Sequence, residues 1–232
     1  MREIAFDTET TGLDPASGHR IVELGCVEMV DKIRTGRTFQ RYLNPQRNVP
    51  AEAEAVHGLS TAFLLNKPLF SEVVEAFLEF VGDSPLVIHN AGFDLKFINA
   101  ELGQVGFQTL TVERVVDTLT LARRKFPGAP ASLDALCKRF NIDLASRTKH
   151  GALLDAELLA DVYLELCGGR QASIQLVDVG AAETGLQGTL GSKRVEIPLR
   201  AFPASAEELA AHRSFLAQLK NPLWAKLLEP SE

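Results

Sequence analysis

An α/β fold, a mixed five-stranded sheet flanked by helices, is what this sequence predicts. Three observations carry the prediction. Three β-patterned runs follow one another over residues 4–43; two later apolar runs, 86–88 and 115–116, each lead into a helical pattern; and a long helical segment spans 152–166. With 232 residues, 46% of them hydrophobic, the chain can bury a full core and still carry an appendage.

Ile4-Ala5-Phe6 reads as a buried strand and runs into Asp7-Thr8-Glu9-Thr10-Thr11-Gly12, where a turn signal ends it. After a polar loop, residues 20–30 form a long apolar strand (Ile21, Val22, Leu24, Val27, Val30). Residues 31–36 are a hairpin candidate, and 38–43 return as a half-exposed strand ended by Asn44-Pro45. Thr61 to Leu65 is a short helical patch. Ser71 is placed to cap a helix with Val74, Phe77, Leu78 and Val81 on one face. Leu86-Val87-Ile88 is a fully buried strand, followed by a helix carrying Leu95, Phe97, Ile98 and Leu102. Val115-Val116 leads to Asp117 and a helix over 119–126. Ser132 caps another with Leu133, Leu136, Cys137 and Phe140, and the helix over 152–166 is closed by Gly168-Gly169. This order, βββ then α, β, α, β, α, is the arrangement of ribonuclease-H-like folds, with the first strand central.

A net charge of -6 argues against a protein held on nucleic acid by a basic surface, since non-specific affinity comes mainly from neutralised phosphates. Metal ions or a tethering partner must then hold any nucleic-acid substrate. Cys26, Cys137 and Cys167 are widely spaced among apolar residues and read as reduced core thiols. The start goes straight into a strand without a signal-peptide pattern, and no apolar run approaches the ~18 residues of a membrane span. The expectation is a soluble cytoplasmic protein with no membrane partner.

Chemistry concentrates at the ends of these elements. Residues two apart on a strand share a face, so Asp7 and Glu9 project side by side. Two carboxylates held that close repel, and a hard divalent cation, Mg²⁺ or Mn²⁺, resolves the repulsion. Taken alone, D-x-E is equally a polar strand end entering a turn. Asp94 lies in the first turn of the helix after 86–88, and His150 and Asp155 stand at the start of the last helix. Four acids and a histidine, each at the end of a core element, exceed what packing requires.

In three motifs the chain resembles the DEDDh 3′→5′ exonucleases, and among them the proofreading exonucleases of bacterial replicative polymerases. The motifs stand as Asp7-Thr8-Glu9-Thr10-Thr11-Gly12, His89-Asn90-Ala91-Gly92-Phe93-Asp94 and His150-Gly151-Ala152-Leu153-Leu154-Asp155-Ala156. The likeness runs through residues 1–169, including Val56-His57-Gly58 and residues 132–137. It implies two divalent cations ~3.5–4 Å apart that clamp the attacking and leaving oxygens at phosphorus. On this resemblance Asp7 would bridge both, Glu9 and Asp155 would complete one, and Asp94 the other, partly through water. His150 takes the proton from the attacking water. The resemblance places the terminal nucleotide near Glu52 and His57, with Thr10 and Gly12 giving close backbone approach. The substrate it implies is the 3′ end of a DNA primer; RNA trimming by the same superfamily, or a non-catalytic bridge, are the competing readings.

Simpler roles compete at several positions. Phe93 fits a core aromatic better than a wedge against a base. His57 and His19 fit loop residues, and His89 a structural group. Asp117 and Asp134 suit a helix cap and a first-turn acid, Asp161 a solvated position, and Arg123-Arg124-Lys125 a solvated helix end rather than a track for the DNA backbone.

Three regions follow: a catalytic domain at 1–169, a linker at 170–192 and a C-terminal segment at 193–232. The linker is rich in Gly, Ser, Gln, Ala and Thr and reads as flexible. Within it, residues 171–176 resemble the bacterial sliding-clamp-binding peptide, with Gln171 followed by Ile174 and Leu176. Val195 to Leu199 alternates like a short edge strand. Ser205-Ala206-Glu207-Glu208 is a capping box opening a helix to about Lys220, with Leu209, Phe215, Leu216 and Leu219 apolar. So short an apolar segment needs a partner to cover it. The resemblance implies the catalytic (alpha) subunit of the polymerase, and leaves room for a small accessory subunit on the catalytic domain.

Overall fold

The computed structural model describes residues 1–144, 150–169 and 204–219. The chain divides into two compact units, Met1–Leu176 and Val177–Glu232. The linker, the clamp-like hexapeptide, the strand expected at 195–199 and the apolar residues beyond 219 lie outside the described residues.

The first unit is a five-stranded mixed sheet of order β3-β2-β1-β4-β5. Strand β1 (Arg2–Thr10) is central, as expected. It pairs antiparallel with β2 (Ile21–Val30) and parallel with β4 (Leu86–Ile88). The sheet is completed by β3 (Ile33–Tyr42), antiparallel to β2, and β5 (Val115–Asp117), parallel to β4. The turn between β2 and β3 is only Asp31-Lys32, both with positive φ (51° and 67°). Such mirror-image turns match the twist of paired strands. Strand β3 therefore starts five residues ahead of the expected Thr38. Its first six residues are exposed, which hid the strand in a polar pattern.

Alternation along β1 sends side chains to two different cores. Ile4 and Phe6 pack with α3 (Phe70–Val81) and α4 (Ala91–Gln104) through Phe77, Phe97 and Ile98. Ala5, from the other face, packs with Ala156, Leu159, Ala160 and Tyr163 of α7 (Ala152–Leu166). Helices α5 (Thr118–Lys125) and α6 (Leu133–Phe140) close over the outer side of α7 through Ala122, Leu136, Cys137, Leu158 and Val162. Burying both sheet faces leaves the strand ends as the place where polar groups can gather.

Several local expectations are corrected. Residues 51–57 form a helix, α1 (Ala51–His57), preceded by Pro50 and closed by Gly58 at φ 77°. His57 thus ends a helix and is buried, not a loop residue. The short helix α2 (Thr61–Leu64) follows, capped by Ser60. Helix α3 begins one residue before Ser71, because the Leu69 N–H donates to the Glu72 carboxylate at 2.7 Å and makes Leu69 the cap. Cys26 and Cys137 are buried, but Cys167 follows the end of α7 and is exposed. Asp161 is ion-paired with Arg34 at 3.3 Å rather than simply solvated.

In the second unit the described helix is α8 (Ala206–Gln218). Its capping box forms as the sequence predicts: the Glu208 N–H donates to Ser205 Oγ (3.2 Å), and the Ser205 N–H to the Glu208 carboxylate (2.8 Å). Leu209, Phe215 and Leu219 are exposed, whereas Leu216 is buried.

Candidate active site

The carboxyl end of β1 supplies Asp7 and Glu9, and a register shift against β2 falls directly after Glu9. Such irregularities re-aim side chains beside active sites. Thr8, on the opposite face, donates its hydroxyl to Asp94 Oδ1 at 2.7 Å and ties α4 to the central strand. Asp94 reaches that position through a tight β4–α4 turn, in which Asn90 adopts left-handed φ (62°) and its N–H donates to Asp117 Oδ1 at 3.1 Å. Asp117 also caps α5 through the Leu119 N–H, the capping role expected for it.

Helix α7 brings the third motif. The His150 N–H donates to the Val56 carbonyl at 3.3 Å, anchoring the residue before the helix to α1. Asp155, in the first turn, is buried, and His150 Nδ1 lies 3.1 Å from its Oδ2. A carboxylate only accepts, so toward an ionised Asp155 the donor is Nδ1, which in the neutral ring puts the lone pair on Nε2. The His150 side chain is 48% exposed, open to water, while that of Asp155 is 5% exposed.

All five expected residues, Asp7, Glu9, Asp94, His150 and Asp155, line one cavity of about 630 Å³. Glu9, His150 and Asp155 offer ligand atoms within 4.8 Å of one another. Burial, reinforced by the charges of Asp94, Asp155, Glu9 and Glu23, holds the Asp7 carboxyl well above the usual range. Burial likewise pushes Asp94 up to about 7, against the hydrogen bond from Thr8. Acids so placed resist ionisation until a positive charge joins them, and hard oxygen donors suit a divalent cation. The residues present fit such a cation.

A second cavity, about 560 Å³, shares Thr8, Glu9 and Phe93 with the first. It is lined by all four positions expected to hold the terminal nucleotide, Thr10, Gly12, Glu52 and His57. The Thr10 hydroxyl donates to the Gly12 carbonyl (2.6 Å), and His57 Nδ1 accepts the Leu59 N–H (3.0 Å). A Cβ on Gly12 would fall 2.3 Å from the His19 ring. Gly12 is therefore needed for the close approach of that imidazole, which is bonded to Thr11 Oγ1 at 3.1 Å. Phe93 packs on Phe97 (5.0 Å between centroids), the core role favoured for it, and also lines both cavities.

Three contributors were not legible from the sequence. His19, taken for a loop residue, walls the second cavity. Glu23 and Gly25 of β2 seat α7. The Glu23 carboxylate accepts the Ala152 N–H (3.1 Å) and a Gln40 amide N–H (2.7 Å), and it is almost wholly buried. A Cβ on Gly25 would lie 2.2 Å from the Ala152 carbonyl, so the helix start rests directly on the strand. The lone acid inside the apolar run Ile21-Val22-Glu23-Leu24 was the available signal. His89 is structural, as read, with Nδ1 2.9 Å from Thr118 Oγ1.

Comparison with known proteins bears on this arrangement. Residues 4–163 match the RNase_T family model, described as exonuclease. The chain is 49% identical over 222 residues to the DNA polymerase III subunit epsilon of Rickettsia conorii, covering 94% of this chain and 96% of that protein. It resembles the solved structure of exonuclease X in complex with 5′ overhanging duplex DNA, with TM-score 0.56, 26% identity and coverage of 71% and 90%. The fold is also that of the nuclease domain of 3′hExo, a DEDDh family member, with TM-score 0.63, 17% identity and coverage of 72% and 91%. The chain belongs to the RNase_T exonuclease family, as a divalent-metal-dependent 3′→5′ exonuclease of the DEDDh type in the DNA polymerase III epsilon group.

Proposed function

We propose that this exonuclease is the proofreading subunit of a bacterial replicative polymerase and removes misincorporated nucleotides from the 3′ end of a DNA primer. The observation that carries the reading is the convergence of Asp7, Glu9, Asp94, Asp155 and His150 on one cavity that opens beside a second, nucleotide-sized one. Asp7, Glu9, Asp94 and Asp155 hold two cations, Mg²⁺ or Mn²⁺. When bound, these supply the positive charge that offsets the acids and the charge growing on the phosphodiester. His150, its ring oriented by Asp155, accepts the proton of the attacking water at Nε2. Thr10, Gly12, Glu52 and His57 seat the terminal nucleotide.

The replication role rests on the epsilon relative and on the tail. Exposed Leu209 and Phe215 of α8, with Leu219 just past its end, form an apolar surface suited to a partner, here the polymerase alpha subunit. Gln171, Ile174 and Leu176 engage the sliding clamp, and a small accessory subunit can bind the catalytic domain. Tethering raises effective concentration, so an acidic enzyme needs little intrinsic affinity for DNA. Its place of action is the bacterial cytoplasm. Among the described residues no helix is long and apolar enough to cross a membrane.

The test compares hydrolysis of mispaired DNA primers with that of short RNA, in the wild type and in Asp7→Ala. Rapid removal of the DNA mispair, lost in Asp7→Ala, is the expected result. Preference for RNA, or near-normal turnover by Asp7→Ala, would falsify the reading. A pull-down with polymerase and clamp, using the full chain and a deletion of residues 170–232, tests the tethering half.

A further inference from the structure

Among the basic residues at the end of α5, one is placed differently from its neighbours. Lys125 donates to the Glu165 and Leu166 carbonyls (3.2 and 2.9 Å) and so caps the last turn of α7. Arg124 is exposed. Arg123, four residues after Leu119 and hence on the same helix face, lines the acid cavity together with Leu119, Ser132 and Leu133. It is exposed and has no ion-pair partner among the described residues. His89, which lines the same cavity, is held below its ordinary pKa by burial. Among the residues lining this cavity Arg123 is the one permanent cation, facing the carboxylates of Asp7, Glu9, Asp94 and Asp155.

We propose that Arg123 binds the phosphate immediately 5′ of the scissile one, so that the strand enters along α5 and is cut at the carboxylates. The inference rests on the functional reading above and extends it to the direction of the strand. With the terminal nucleotide in the cavity of Thr10 and His57, the cut phosphodiester lies at Asp7. Arg123 lines the acid cavity but not the nucleotide cavity, so a strand continuing beyond the carboxylates can meet it there. The cations proposed above would offset the four acids and act at the scissile phosphate, so a phosphate further along the strand needs its own partner, and Arg123 is a cation of the same cavity off the metal-binding acids. Guanidinium suits the task because it stays charged and presents paired N–H donors to phosphate oxygens.

The experiment uses the full chain with Mn²⁺ or Mg²⁺ and three substrates. The p-nitrophenyl ester of thymidine 5′-monophosphate has a scissile phosphodiester but no phosphate 5′ of it. The dinucleotide TpT extends it by one nucleoside, and pTpT adds the phosphate in question. Wild type should hydrolyse pTpT with a lower KM than TpT. In Arg123→Ala that advantage should shrink roughly tenfold, the scale of one charge-assisted hydrogen bond, chiefly in KM. Arg123→Lys, which keeps the charge, should restore part of it. An unchanged pTpT advantage in Arg123→Ala would overturn the proposal. Equal losses on all three substrates would overturn it too, since Arg123 would then act through the metal-binding acids. Failure of the wild type to cleave the ester would instead count against the metal-site reading itself.

Discussion

Glu23 accepts the backbone N–H of Ala152 at 3.1 Å, joining a strand to the start of a helix 129 positions away in sequence. That helix start carries Asp155, with His150 two residues before it, while the paired strand carries Glu9 opposite Glu23. The bond therefore fixes the distance between the first motif and the third. Burial raises the pKa of Glu23, and its hydrogen bonds from Gln40 and Ala152 oppose that rise.

Replacing Glu23 with Ala leaves a buried helix N–H without its acceptor, which costs ~1–3 kcal/mol. Glu23→Ala is expected to lower thermal stability and to weaken metal-dependent hydrolysis. Glu23→Gln keeps an oxygen acceptor and should lose less than half as much of each. Thermal unfolding and steady-state kinetics on one oligonucleotide check both; equal damage by the two substitutions would count against the bond to Ala152.

Gly25→Ala places a methyl group where the Ala152 carbonyl already stands, 2.2 Å away. Backbone of α7 must move, and overpacking of this kind costs ~1–3 kcal/mol. Activity should fall more steeply than stability, because Asp155 and His150 move with the helix start. A crystal structure of the variant, or its metal affinity, reports that displacement.

His150→Ala should reduce kcat by ~10²–10⁴-fold, the usual share of a general base, with little change in fold or in metal affinity. Asp155→Asn should do more, since it alters both a candidate cation ligand and the acceptor that orients the imidazole. Single-turnover kinetics together with a metal titration separates the two: Asp155→Asn should weaken metal affinity as well as the rate, His150→Ala chiefly the rate.

The raised carboxyl groups set a pH dependence of stability. Asp7 lies well above its ordinary value, and Asp94 is raised to about 7, both through burial first. For a carboxyl whose folded pKa is raised, its stabilising contribution is fully present below the unfolded value of ~3.9 and is lost as pH rises through the folded value. Metal-free protein should therefore lose stability as pH climbs toward and past 7. Mn²⁺ should raise Tm more at about pH 8 than at about pH 6, because ionised acids bind it without first releasing protons. Scanning calorimetry with and without EDTA measures both; a metal effect independent of pH would refute the assignment.

The element order and the three acid-bearing motifs were legible in the sequence, because each depends on local pattern. Apolar runs mark β1 and β2, a capping serine marks α6, and acids at element ends mark the chemistry. Local pattern misleads where exposure or a short turn disguises it. Strand β3 starts early because a two-residue hairpin turn needs no glycine here, and α1 went unread because its polar face hides the buried His57.

What sequence alone determined about this protein is which residues carry the chemistry and which strand they leave from. Only the tertiary structure decided how they meet. The contacts of Glu23 and Gly25 with Ala152, of His19 with Gly12, and the place of Arg123 on the cavity wall all join residues distant or unremarkable in the chain. Such contacts arise from the packing of α7 and α5 on the finished sheet, and no periodicity along a single segment encodes them.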